Sequence, residues 1–275
     1  MDKRIIGENN ILKSLKLIWD FGWLRPQELG LFIWQESKSP KKNAEALTRK
    51  LVDQKLVIAR KLPLNSGTAL FLSAQGAASL KQELGIVASS GKDNGRASDG
   101  SFFKNSKWKH HLLSSGVLGH LNRDGYGIIA EAAIRRKHNL SKFPDGIFFM
   151  EFRDEDEDGN VLKEWQESYW LEVENHRKTG PNMEFMIESM LKSLKVNLFN
   201  DLNEICGRTI NGLAVAYPIK SKDEKDNNID HKLRVTNAFK SIIRRDLPIN
   251  FIGLESYGLG VSQIFETRVV VQARQ

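Results

Sequence analysis

Cysteine is almost absent from this chain: Cys206 is the only one in 275 residues. One thiol excludes an intrachain disulfide and any zinc cluster built on cysteines, and Cys206 is expected to be a buried, inert side chain. Long apolar runs are missing too, since no stretch approaches the roughly 18 residues of a membrane span. The charged start Met1-Asp2-Lys3-Arg4 leads into no signal-peptide core, so a cytoplasmic protein with no membrane partner is expected. Internal repeats are likewise lacking. Hydrophobic residues make up 40% and charged residues 27%, which excludes wholesale disorder and leaves room for two domains with separate cores.

Positive charge is in excess. Lysine and arginine number 41 against 34 acidic residues, a net charge of +7, and the pI is about 9.3. Residues 1–100 hold 16 basic and 10 acidic side chains, whereas residues 101–275 hold 25 and 24. The first part is therefore the expected binder of an anionic partner, for which nucleic acid is the usual choice.

Three domain-scale segments are expected: residues 1–85, a Ser/Gly/Asp-rich flexible linker at 86–101, and residues 102–275. In the first, Ile11, Leu12, Leu15, Ile18 and Trp19 have the spacing of one helix face. Pro26 opens a second helix, and Ser39-Pro40 caps a third that turns Ala44, Leu47, Leu51 and Val52 inward. Two short strands, Leu56–Leu62 and Ala69–Leu72, flank a turn-forming loop at residues 63–67, and a helix follows from Ser73 to Leu84. This is a winged helix-turn-helix in outline. Its third helix would enter the major groove of double-stranded DNA, with Lys41, Lys42, Asn43, Thr48, Arg49 and Lys50 as the contacting candidates.

In the last segment a helix near Trp108–Leu121 precedes the apolar run Tyr126–Glu131 and the basic Arg135-Arg136-Lys137. Pro144-Asp145 then begins a strand, and Tyr169–Glu174 forms a second, the two making a hairpin around an acidic turn at residues 154–159. That turn lacks the spacing and closing glutamate of a calcium loop and reads as a solvated hairpin tip. Helices near residues 181–198 and 231–245 and strands near 213–217, 249–255 and 264–271 complete an α/β (α+β) pattern, a mixed sheet flanked by helices. Strand alternation directs Glu172 and Glu174 to one side, and Leu171 and Val173 to the other.

A winged-helix pattern, a joint, and then Glu131, Pro144-Asp145 and Glu172-x-Glu174 resemble the replication-relaxation group and, within it, the MOBC class of plasmid mobilisation relaxases. The catalytic part of that class is similar to PD-(D/E)xK restriction endonucleases. The resemblance implies a metal-dependent endonuclease that recognises an origin of transfer and nicks one DNA strand. Glu131, Asp145 and Glu172 would hold Mg2+ or Mn2+, and relaxosome accessory and coupling proteins would be partners. The sequence departs from the pattern where Glu174 stands in place of the superfamily lysine. Glu174 then becomes a further metal ligand, or Lys178 supplies the ammonium. The same departure supports an alternative, a DNA-binding regulator or relaxosome accessory protein with a degenerate nuclease fold. His111, on the helix beside Trp108, is a candidate for proton transfer and His176 for a metal neighbour. Tyr126 and Tyr169 lie in apolar runs and are expected in the core.

Overall fold

The computed structural model describes residues 3–93, 107–156, 161–174, 180–194, 205–219, 230–243, 246–257 and 260–272. The chain divides into two compact units, Met1–Asp124 and Gly125–Gln275.

The first unit runs α1 (Lys3–Phe21), α2 (Pro26–Ile33), α3 (Pro40–Asp53), β1 (Val57–Lys61), β2 (Thr68–Leu72), α4 (Ala74–Leu84) and α5 (Trp108–Arg123). Proline starts both α2 and α3, where its missing N–H costs no helical hydrogen bond. The Ser39 hydroxyl makes no capping bond; Ser73 does cap α4, accepting from the Gly76 N–H at 2.9 Å. Strands β1 and β2 pair antiparallel from Val57↔Leu72 to Lys61↔Thr68, and Leu24 bridges to Leu70 on the other edge. Leu15, Ile18, Leu29, Phe32, Leu51, Leu70 and Phe71 are fully enclosed in this unit. Val52, expected inward, is exposed.

Helix α5 corrects the expected domain boundary. It packs on α2 in the first unit, and Gly119 is what permits the approach, since a Cβ there would stand 3.0 Å from a Leu31 methyl. Residues 86–93 of the expected linker are also laid down rather than loose. The Gly91 N–H donates to the Leu72 carbonyl at 2.8 Å, and the Arg60 guanidinium donates to the Lys92 carbonyl. Residues 94–101 lie outside the described ones.

The second unit runs β3 (Gly127–Ala130), α6 (Glu131–Lys137), β4 (Gly146–Glu155), β5 (Val161–Val173), α7 (Pro181–Ser193), β6 (Gly212–Pro218), α8 (His231–Ile242), β7 (Leu247–Tyr257) and β8 (Gly260–Val271). The strands form one mixed sheet in sequential order. The β3–β4, β4–β5 and β7–β8 pairs are antiparallel, and β5–β6 and β6–β7 are parallel. Parallel neighbours need a crossover, and α7 and α8 are the helices of those two crossovers. One face of the sheet carries Ile147, Trp170, Leu213, Val215 and Phe251 into a core with Met183, Met186, Ile187 and Met190 of α7 and Val235 and Phe239 of α8. The expected mixed sheet with helices against it is present.

Two glycines test the packing in opposite senses. A Cβ on Gly76 would meet the Leu56 carbonyl oxygen at 2.2 Å, whereas one on Gly7 of α1 meets nothing within 4 Å. Gly76→Ala should destabilise by about 1–3 kcal/mol through overpacking. Gly7→Ala should raise stability by up to about 1 kcal/mol through helix propensity. Urea unfolding of both variants checks the pair.

Candidate functional site

The expected carboxylates gather in part, at the place where β4 begins beside the end of β5. The Asp145 N–H donates to the Leu171 carbonyl at 2.9 Å, and Asp145 Oδ2 accepts from the Val173 N–H at 2.7 Å. Asp145 thus holds the two peptide groups that flank Glu172. Glu172 shares a strand face with Trp170, whose indole Nε1–H donates to Glu172 Oε1 at 2.8 Å. Glu174 is fully buried, and its N–H donates to the Ala216 carbonyl at 2.7 Å, extending the β5–β6 pairing by one residue.

Lys142 is the member of this cluster that the sequence did not single out. Its Nζ donates to Glu172 Oε1 at 2.5 Å and Oε2 at 2.7 Å, with 18% of the lysine side chain and 1% of the glutamate exposed. The available signal was its place three residues before Asp145, in the short segment between α6 and the sheet. A carboxylate removed from water requires a counter-charge and hydrogen bonds, and Glu172 obtains both from Lys142 and Trp170. A cavity of about 440 Å3 opens beside this pair, lined by His138, Ser141, Lys142, Trp170, Lys192 and Ile205 among others. Among the described residues no carboxylate is in its lining. His138 Nε2 accepts from the Cys206 N–H at 2.8 Å. Cys206 is only half-buried, and burial pushes its thiol pKa up.

The other candidates fall elsewhere. Glu131 opens α6 and is paired at the surface with Arg135. Lys178 and His176 lie outside the described residues. His111 belongs to the first unit and is partly buried there: its ring stacks on Trp23 with centroids 4.1 Å apart. Its Nε2–H donates to the Trp23 carbonyl at 2.9 Å, since a carbonyl can only accept. Burial lowers its pKa to about 4, so it is neutral at pH 7 and held by Trp23 rather than offered to a substrate. Tyr169 stacks on Phe148, and its hydroxyl pKa is raised to about 12 by burial and by Glu167.

Hard divalent cations take about six oxygen ligands, and these carboxylates as arranged do not supply such a set. Glu172 faces an ammonium, Asp145 Oδ2 is bonded to a peptide N–H, and Glu131 is paired with arginine. Among the described residues no group of three or more His, Cys, Asp or Glu side chains is gathered for a metal.

On the first unit, Lys41, Lys42, Arg49 and Lys50 are exposed along α3. Lys42 and Arg49, seven residues apart, lie on one helix face. Asn43 is turned to the loop before α3, its Nδ2 donating to Ser37 Oγ at 3.2 Å. Thr48 is drawn inward, with its hydroxyl oxygen enclosed and no hydrogen-bond partner among the described residues. Asn43 and Thr48 are therefore not presented as the four cations are.

No protein-family model matches this chain, and neither the curated proteins nor the solved structures return a match.

Lys142→Met should cost about 3–5 kcal/mol by leaving Glu172 without its counter-charge, and adding Glu172→Gln should recover most of that loss in a double-mutant cycle of unfolding free energies. For His111, the unfolded chain binds the extra proton between pH 6.5 and about 4. Stability should fall as pH drops through that window, by at most about 3 kcal/mol. His111→Phe should remove that part of the pH dependence from urea midpoints measured between pH 7 and 4.

Proposed function

We propose that this chain is a DNA-binding protein of plasmid mobilisation or replication control that engages duplex DNA through a winged helix-turn-helix in its first unit. The observation that carries the reading is the exposed row of Lys41, Lys42, Arg49 and Lys50 on α3, the helix that leads into the β1–β2 hairpin. The element order supports it, as does the Leu24–Leu70 bridge, which adds a strand to the hairpin as in winged helices. Lys61, exposed on β1, offers a further cation to a phosphate. Phosphate contacts would come from these cations, and affinity would depend on counterion release.

The second unit is proposed as a nuclease-like domain that serves for contacts. Its antiparallel β3–β4–β5 followed by α7 and the parallel β6 supports the likeness to restriction endonucleases. The commitment of Glu172 to Lys142 favours the accessory role over cleavage. The second reading is a relaxase that nicks one strand with Mg2+ or Mn2+. It is favoured by one observation: Asp145 and Glu172 meet at the β4–β5 ladder with Lys142 beside them.

Lys42→Ala and Arg49→Ala should each weaken duplex binding across all sequences and lower the slope of log K against log salt by about 1. Fluorescence anisotropy between 50 and 200 mM salt measures this, and unchanged slopes would remove α3 from the interface. Supercoiled plasmid bearing an origin of transfer, incubated with the protein and Mg2+ or Mn2+, separates the two readings. Closed circles support the accessory protein. Open circles that disappear with Asp145→Ala and Glu172→Ala establish the relaxase.

A further inference from the structure

The tip of the β1–β2 hairpin is built against the preferences of its own residues. Leu64 has φ 55° and ψ 32°, and Asn65 has φ 54°. Asparagine tolerates the left-handed region; leucine does so poorly, because its Cβ crowds the following carbonyl. The conformation is held from below. The Arg25 guanidinium, buried against both carboxylate oxygens of Glu28, donates through Nη1 to the Ser66 carbonyl at 2.9 Å. The Ser66 hydroxyl donates to the Pro63 carbonyl at 2.6 Å, and the Leu62 N–H to the Gly67 carbonyl at 2.9 Å. A buried ion pair thus fixes a turn whose effect is to present an aliphatic side chain that is 75% exposed.

Neither stability nor solubility accounts for this leucine. It covers no core, and glycine or asparagine would suit its backbone better. Non-glycine residues in this region concentrate where the surroundings over-determine them for a function. An isolated aliphatic group on a fixed tip gains free energy only by entering an apolar environment, and stacked bases offer one when a step is opened.

On the reading that α3 engages duplex DNA, we infer that Leu64 is a wedge that the hairpin inserts into the flanking minor groove, partly unstacking a base step and bending the duplex. Lys61, at the near end of the hairpin, is exposed beside it for a phosphate contact. The partner surface is therefore a deformable base step, which pyrimidine–purine steps supply most readily.

The test uses the full chain and a duplex of 40 base pairs enriched on it from a library with a randomised 20-base-pair core, labelled at both ends for energy transfer. Wild-type protein should shorten the end-to-end distance. Leu64→Ala should bind about tenfold or more weakly, the loss that burying a leucine implies, and leave the duplex straight. Leu64→Asn should do the same while raising the melting temperature of the free protein, because asparagine accepts the backbone that leucine resists. A leucine that merely supports the turn would instead lower it. If Leu64→Ala and Leu64→Asn bind and bend as wild type does, the wedge is overturned and the α3 reading stands. If no duplex is enriched by the wild-type chain, the reading and the wedge fall together.

Discussion

A carboxylate taken out of water is costly unless it is paired and hydrogen-bonded, and the contacts around Glu172 in the second unit meet that requirement. Its oxygens are enclosed on the sheet face that also carries Trp170. Lys142 reaches it from the segment between α6 and β4, and Asp145 ties that segment to the backbone of β5 on either side of Glu172. A cost of several kcal/mol for an unpaired buried ion makes the three residues one device. The start of β4, the end of β5 and the cavity wall beside them keep their places through it.

Lys142 Nζ stands within 2.5–2.7 Å of both Glu172 oxygens, so the ammonium saturates the carboxylate from one side. The first unit contains a parallel case. Arg25 and Glu28 form a buried pair whose remaining guanidinium N–H reaches the hairpin loop, so a charge pair in the core sets the shape of an exposed tip. In both units a cation paired with a buried glutamate links segments distant in sequence.

Much of the architecture was legible in the residues. Pro26, Pro40 and Ser73 mark helix starts because of their backbone chemistry. The runs Leu56–Leu62, Ala69–Leu72 and Leu213–Tyr217 read as strands because apolar and β-branched residues cluster there, and the strands run Val57–Lys61, Thr68–Leu72 and Gly212–Pro218. Pairing was less legible. Helix α5 looks like the start of a second domain because a Ser/Gly-rich stretch precedes it, yet Gly119 shows its fit only once Leu31 and Phe32 lie against it. His111 looked like a candidate for proton transfer because histidine is suited to that role; its stacking on Trp23, 88 residues away, makes it structural.

By itself the sequence determined what local chemistry and composition govern: the helix starts, the strand periods, the basic excess of the first hundred residues and the exclusion of disulfides. It also brought Asp145 and Glu172 into the same argument, since each lies at the end of an apolar run. Only the tertiary structure decided which charges meet. Lys142 and Glu172 are 30 residues apart, and Arg25 and Ser66 are 41 apart. Neither separation names the partner, because side-chain partners across a sheet or a hairpin are chosen by burial and distance, which arise only when the chain has folded.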